Sequence, residues 1–329
     1  MFTLNLRLFD TQVTTQDSLS DEMKVFYEDT LIDNAEPKLV HDMFADKYPI
    51  PKNGGKTIEF RKYSPLAKAT TPLTEGVTPA GNGLSVSAFT AEVKQYGDFI
   101  KISDMLDLTA IDNNIVQATK LLGSQSGRTL DTITREIINA GTNVIFAAKS
   151  DGTEVMTRKT LDATCALSVD TIYRAAAQLE SMNADGVDGE SFVAIIHPYA
   201  AYDLMRSEEW IDVHKYAKPE NIYKGELGKI GNVRFVKSTE AKIWKDNTCP
   251  EGLAVFSTLV VGAHAYAITD IEGGGLQHIV KQLGYGDDPL NQRASVGWKA
   301  TRVAEILSGE YMVRIESCSP VYSAKANAN

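Results

Sequence analysis

The sequence is poor in cysteine and histidine and has no long apolar run. Its three cysteines, Cys165, Cys249 and Cys318, stand far apart in the chain. They form no C-x-x-C pair, so their spacing spells neither a metal-binding nor a redox motif; a sparse, odd set fits reduced thiols in a cytosol. The five histidines, His41, His197, His214, His264 and His278, include no close pair of the kind a zinc-binding helix shows. No apolar stretch approaches the roughly 20 residues of a membrane-spanning helix. The opening Met1–Asp10 lacks the basic start and apolar block of a secretory signal. Basic charge is also short: 33 Lys and Arg stand against 43 Asp and Glu in 329 residues, a net charge of −10. That balance argues against a nucleic-acid grip built from clustered cations. What remains is an acidic chain with ample apolar content and a length for about two domains or one elongated one.

Several short patterns resemble catalytic or ligand motifs and fail on spacing. Gly54-Gly55-Lys56-Thr57 looks like the end of a phosphate loop, but Ile50 stands where the first glycine belongs, and a strand pattern rather than a helix follows. Asn183 to Glu190 carries acids without the every-second-residue spacing of a calcium loop and reads as a turn. Gly273-Gly274-Gly275 lacks the spacing and following helix of a dinucleotide site and reads as a hinge or turn. A Cys165/His197 dyad remains an open pairing, with no nucleophile motif around Cys165. No catalytic, cofactor or metal residues are assigned.

The periodicity is more informative. Phe2, Leu4, Leu6 and Leu8 alternate, as in a short strand of this domain or an arm added to a neighbour's sheet. Ser20 to Met43 repeats Met23, Phe26, Tyr27 and Leu31 at helical spacing. Lys56 to Tyr63 is a strand, and Leu84 to Ser103 a longer extended stretch whose parity slips at Phe89, as at a bulge. Between them, Ser64 to Gly83 holds three prolines and three glycines. About 20 residues without secondary structure count against a compact domain unless the loop is functional. The pattern therefore proposes a long projecting hairpin with a Thr-rich tip, Ala69 to Gly76, suited to lying on another surface; a mobile loop is the plain alternative.

From Asp112 to Ala140 the period becomes helical, with Ile115, Leu122, Leu130, Ile133 and Ile137 on one face. Asp112 or Asn113 would cap it and Gly141 stop it. Such a helix spans on the order of 40 Å, and Gly123 and Gly127 inside it imply close packing or a bend. A helix capped by Ser168 or Asp170 runs towards Asp185-Gly186. A short strand, Phe192 to His197, precedes a helix opened by Pro198. Strands follow at Val233 to Val236, Gly252 to Ala267, Gln277 to Gln282, Ala294 to Val303 and Tyr311 to Ser317. The fold class is α+β, a mixed middle flanked by strand-rich segments.

Residues 55–79, from Gly55-Lys56-Thr57-Ile58-Glu59-Phe60 through Thr74-Glu75-Gly76-Val77-Thr78-Pro79, resemble the major capsid proteins of tailed bacteriophages, in the branch like that of coliphage N-four. The likeness continues in Val93-Lys94-Gln95-Tyr96-Gly97-Asp98, Ile102 to Thr109, Thr129-Leu130-Asp131 and Ala140 to Val144. Looser matches run from Ile195 to Pro198, from Ile230 to Phe235 and from Gly284 to Lys299.

The resemblance implies the Hong Kong 97-like capsid fold. It assigns residues 1–50 to an N-terminal arm, 51–103 to an extended β-hairpin loop and 104–165 to a peripheral domain with a spine helix. Residues 166–275 would form an axial domain, and 276–329 would return to the peripheral domain. It further implies self-assembly into pentamers and hexamers of an icosahedral head around double-stranded DNA that is enclosed without specific binding. Location in the virion, and in the host cytoplasm during assembly, follows from the same likeness. Expected partners are copies of itself, a separate scaffolding protein, a portal and decoration proteins, with no cofactor and no membrane. Relatives that join subunits through Lys–Asn bonds offer no motif that assigns such a pair here, and no scaffolding segment is expected ahead of the arm. Contact residues expected between subunits are Phe2, Leu4, Leu6 and Leu8 in the arm. In the hairpin they are Pro65, Leu66, Thr70, Thr71, Pro72, Leu73, Thr74, Glu75 and Val77. An encapsulin-like cargo compartment of the same fold and a soluble α+β enzyme are the competing readings.

Overall fold

The computed structural model of the chain describes residues 40–105, 114–207, 209–210, 226–281, 285 and 288–329. The arm residues Phe2, Leu4, Leu6 and Leu8, most of the expected first helix, and the Asp112/Asn113 cap lie outside these residues. Where the expected first helix would end, residues 41–44 form a turn instead. The reason is tertiary: the His41 N–H is taken by an Asp131 carboxylate oxygen, 90 residues along the chain, at 2.9 Å.

The chain then runs through β1 (Asp46–Lys47), a hairpin of β2 (Thr57–Tyr63) and β3 (Val86–Glu92), and β4 (Lys94–Ser103). A long helix, α1 (Asn114–Asn139), is followed by β5 (Val144–Phe146), α2 (Val169–Ser181), β6 (Phe192–Ile196) and α3 (Pro198–Met205). The remaining strands are β7 (Glu226–Ile230), β8 (Val233–Lys237), β9 (Ile243–Trp244), β10 (Val255–Val261), β11 (Tyr266–Thr269), β12 (Gln277–Lys281), β13 (Arg293–Ile306) and β14 (Met312–Ser317).

These strands form two sheets and the separate β2–β3 hairpin. The first sheet has the order β1-β11-β13-β12, with β4 also paired to β13. Strand β13 is its backbone: Arg293–Arg302 pair with β4, and Val303–Ile306 with β11. Helix α1 lies across it, setting Ile115, Ala118, Leu122 and Leu130 against Ile102, Val296, Trp298 and Ala300. Gly123 and Gly127 fall on the buried side of α1. Truncating a buried Leu such as Leu122 in this layer costs about 2–5 kcal/mol.

The second sheet has the order β5-β14-β10-β6-β8-β7, with β9 on β10. Helices α2 and α3 cover one face through Ile172, Leu179 and Leu204 over Phe235 and Phe256. The other face packs Val193, Ile195 and Leu259 against Ile138 of α1, Phe44 and Tyr266. Both faces being covered, all seven residues of β10 are buried, which is why that stretch reads as a continuous apolar run rather than an alternation. Local signals set the helix starts. The Ser168 hydroxyl accepts the Thr171 N–H at 3.2 Å, and Pro198 occupies the first turn of α3 behind His197.

Several details differ from the sequence reading. The slip at Phe89 is no bulge: β2 and β3 pair in unbroken register from Thr57–Glu92 to Tyr63–Val86. Apolar residues on both faces of one regular ladder produce the apparent slip, and the real break comes at Val93, where the chain leaves the hairpin for the first sheet. The extended stretch 252–267 is two strands, β10 and β11, parted by a turn in which His264 adopts φ +56°. On α1, Ile133 and Ile137 are only half-buried, and Ile138 takes the core position. Helix α2 stops at Ser181, short of Asp185. Finally, the sheets do not follow linear segments: β5 and β14 join the second sheet, whereas β11 joins the first.

Candidate assembly surfaces

The hairpin is the least enclosed part of the described chain. Every residue from Arg61 to Ala88 is exposed, and residues 64–85 carry no regular secondary structure. A single turn, with the Val77 N–H donating to the Thr74 carbonyl at 3.1 Å and Gly76 at φ +78°, shapes its tip. The expected contact residues Pro65, Leu66, Thr70, Thr71, Pro72, Leu73, Thr74, Glu75 and Val77 all lie in this loop, with Leu73 78% exposed. Such exposure of Leu66, Leu73 and Val77 gains nothing within the subunit, because apolar area stabilises only when it leaves water.

The two faces of the ladder differ. On the inner face Phe60 stacks on Phe89 with centroids 5.5 Å apart, Tyr48 meets Phe60 edge-on at 5.7 Å, and Ala91 is buried. On the outer face Tyr63 and Val86 pair directly, and both are exposed, as is Leu84 beyond them. At the root, Lys62 Nζ donates to Ser308 Oγ at 3.1 Å and faces Glu310 at 3.8 Å, while Lys56 pairs with Glu92 at 2.5 Å. The hairpin is therefore clamped at its base and bare along its length.

The body beneath is held by buried polar groups that apolar periodicity does not reveal. Along the second half of α1 the buried side is Asp131, Thr134, Arg135 and Asn139 around Ile138. Asp131 takes the His41 ring nitrogen Nδ1 at 2.7 Å, and Thr134 Oγ1 donates to Asp42 at 2.7 Å. Asp42 also pairs with Arg302 of β13, and the Tyr266 hydroxyl donates to the His41 carbonyl. Burial pushes the Asp42 carboxyl up, opposed by the Arg302 charge. Together these bonds fix the entry of the chain onto both the helix and the first sheet. Asn139 accepts from Ser257 of β10 at 2.6 Å, tying α1 to the second sheet as well.

A second lock sits on β14. Glu316, 1% exposed, receives Arg158 through two bonds of 2.6 Å and the Arg314 Nε at 2.9 Å, and the Arg158 guanidinium lies 3.9 Å from the Trp244 ring. The bidentate fork is the strong form of this interaction. It joins the 3₁₀ turn at Arg158–Thr160 to the sheet and to β9.

The motif look-alikes have structural employment. Lys56 is paired with Glu92, and Thr57 begins a strand. Asp188 accepts the N–H groups of Glu190 and Ser191 and pairs with Arg234 at 3.1 Å, so it staples a turn. The three cysteines, remote in sequence, share one buried cluster with Ala147, Val155, Leu161 and Val255. Two of them arrive in matching Asp-x-Thr-Cys turns, Asp162–Cys165 and Asp246–Cys249. In each, the aspartate accepts the threonine N–H at 2.8 Å and its hydroxyl at 2.5 Å. Burial pushes all three thiols up, Cys318 to about 12, which suppresses thiolate chemistry. His197 caps α3, accepting the Tyr199 N–H at 3.1 Å, stacks on Phe256 and is pushed down to about 4 by burial. Cys165 instead bonds Asp162, so the open Cys165/His197 pairing is not formed. Among the described residues no group of three His, Cys, Asp or Glu side chains is arranged to hold a metal ion, and no helix is long and apolar enough to cross a membrane.

The fold resembles solved phage capsids and a virus-like particle. The capsid of Ralstonia phage GP4 superposes with a TM-score of 0.68 at 15% identity, covering 87% of this chain and 89% of that one. The cyanophage Pam1 capsid gives 0.65 at 13% identity, with 96% and 99% covered. A virus-like particle from Pyrococcus furiosus gives 0.51 at 8% identity, with 88% and 98% covered. No curated protein matches the sequence. The α+β architecture is thus the Hong Kong 97-like capsid fold. The sequence model of the phage capsid protein family matches residues 87–308, two-thirds of the chain, and the chain belongs to that family.

Proposed function

We propose that this chain is the major capsid protein of a tailed, double-stranded DNA phage, assembling into pentamers and hexamers that close an icosahedral head. The likeness of residues 55–79 to the coliphage N-four branch supports that narrower placement. The observation that carries the reading is the clamped, bare hairpin: a segment with exposed Leu66, Leu73, Val77 and Leu84 is useful only against another surface. Hairpin and N-terminal arm contacts repeat around a closed shell, so each can be individually weak. In this reading β2, β3 and the loop between them form the extended loop, α1 and the first sheet the peripheral domain, and the second sheet with α2 and α3 the axial domain. A subunit of net charge −10 suits a shell that encloses DNA without gripping it. A separate scaffolding protein, a portal and decoration proteins complete the particle, and assembly takes place in the host cytoplasm.

Particle size tests the proposal. Purified protein should form capsomers or megadalton shells visible by negative-stain imaging. A stable 36 kDa monomer at high concentration would overturn it.

A further inference from the structure

The first sheet has one covered face and one open one. Residues alternate along a strand, so α1 takes Ile100, Ile102, Val296 and Trp298, while Phe99, Lys101, Gly297 and Lys299 face the other way. On that side Gly97, Gly297, Phe99 and Ile279 line an open trough of about 310 Å³, with Phe99 57% exposed. The glycines let the strands close up, because a Cβ on Gly97 would sit 2.5 Å from the Trp298 carbonyl oxygen and one on Gly297 2.7 Å from Phe99 Cβ.

Among the described residues, charge around the trough is one-sided. Lys101, Lys281 and Lys299 surround the trough without a carboxylate partner among the described residues. Lys101 and Lys281 lie over Phe99 and Tyr285 at 5.6 and 4.6 Å instead. Two nearby acids that the structure describes are engaged elsewhere: Asp98 accepts from Gln125 and from the Phe99 N–H, and buried Asp288 accepts the Arg293 N–H. An apolar floor with a cationic rim asks for an occupant that is apolar on one side and acidic on the other.

The chain carries such a segment. Residues 20–33 contain five acidic residues (Asp21, Glu22, Glu28, Asp29 and Asp33), one basic residue, and Met23, Phe26, Tyr27 and Leu31 at helical spacing. Reach allows the segment's own subunit. Val40 packs in the cluster of Tyr266, Ile306 and Ile138, on the α1 side of the sheet and at the end of β13 remote from the trough, so the chain must round the sheet's edge to arrive there. The trough lies ~30 Å along β13 from there. The six residues 34–39 span ~20 Å when extended, and a helix over 20–33 would add ~21 Å. We propose that the Ser20–Asp33 segment docks in the trough of its own chain, seating its apolar side on Phe99 and Ile279 and its acids against Lys101, Lys281 and Lys299. A nucleic acid fits less well, since phosphates would leave Phe99 and Ile279 wet and would meet a chain of net charge −10. This inference does not depend on shell formation.

Zero-length carbodiimide cross-linking of the full chain, mixed from light and ¹⁵N-labelled batches and read by mass spectrometry, tests it. The expected result is Lys101, Lys281 or Lys299 joined to Asp21, Glu22, Glu28, Asp29 or Asp33 in peptides that are all light or all heavy. The Lys56–Glu92 pair serves as the positive control. Lys281→Glu with Lys299→Glu should abolish those links and speed tryptic cleavage after Lys24 about tenfold, as for a segment released from its surface; adding Glu28→Lys with Asp29→Lys should restore protection. Mixed-isotope links, links to other carboxylates, or a working control with no links at these lysines would overturn the proposal. Protection of the lysines only on adding duplex DNA would overturn it in favour of a nucleic-acid face.

Discussion

Strand β10 and the hairpin strands β2 and β3 are of equal length, yet they live in opposite environments. All seven residues of β10 are buried, between helices on one face and Ile138, Tyr266 and Phe44 on the other. In β2 no residue is fully buried, and in β3 only Ala91 is. The second sheet stands on its own core. The hairpin holds a regular ladder with almost none, and an isolated two-stranded ribbon is marginal in water. Its conformation is instead imposed at the root, where Phe60, Phe89, Tyr48 and Lys62 meet the body. One region stores subunit stability; the other is shaped for use outside the subunit.

Deleting Leu66 to Gly83 should break that comparison most cleanly. The ladder closes above the cut at Tyr63–Val86, with the Ser64 N–H bonded to the Ser85 carbonyl at 3.0 Å, so the root survives. The melting temperature should stay within ~2 °C of the parent, while closed particles disappear from electron micrographs. Particles of normal size would refute the role given to the loop.

The complementary change attacks the body. Glu316→Ala removes the carboxylate from a buried site and leaves Arg158 and Arg314 facing each other. Breaking such a group from one side costs about 3–5 kcal/mol, readable as a shift of the denaturant midpoint. A smaller effect should follow Tyr63→Ser with Val86→Ser on the outer face. Exposed substitutions change subunit stability by only about 0.5 kcal/mol, but the concentration needed for assembly should rise, as light scattering would show. If that variant assembles normally, the outer face is not the face that docks.

Acid separates the regions again, more gently. Burial holds His197 neutral, at about 4 rather than its usual value near 6.5. The unfolded chain takes up that proton first, so the group's contribution is complete above pH 6.5 and is lost as pH falls towards 4. His197→Asn keeps a capping acceptor for the Tyr199 N–H and removes the titration. The variant's melting temperature should therefore fall less than the parent's across that window.

Much of this architecture is legible in the sequence, for physical reasons that differ by element. The hairpin shows because 20 residues rich in proline, glycine and threonine cannot build a core, and α1 because Ile115, Leu122 and Leu130 repeat at helical spacing. The cap at Ser168 and the helix start at Pro198 are short-range signals and transfer directly. The polar half of α1 is hidden, because Asp131, Thr134 and Arg135 look like a solvated face until His41 and Asp42 arrive from 90 residues away. The grouping of strands is hidden for the same reason: nothing local sends β14 to the second sheet and β11 to the first. The cysteine cluster lies between these cases. Its two Asp-x-Thr-Cys turns are a repeated word in the sequence, but their meeting with Cys318 is tertiary.

The smallest expected effect sharpens the comparison furthest. Lys56 and Glu92 face each other at 2.5 Å across the base of the hairpin, yet their side chains are 72% and 55% exposed. The pair raises the lysine's affinity for its proton and lowers the carboxylate's, each chiefly through their hydrogen bond. Water screens such an interaction, and holding two long side chains in one geometry offsets much of what it contributes. Lys56→Ala, Glu92→Ala and the double variant should therefore melt together with the parent, and 0.5 M salt should change none of them. A clear loss in the single variants, removed by salt, would mean that the hairpin is held by its own cross-strand charges. It would then be a self-supporting element rather than one imposed by its root, and the contrast with β10 would narrow to a difference of degree.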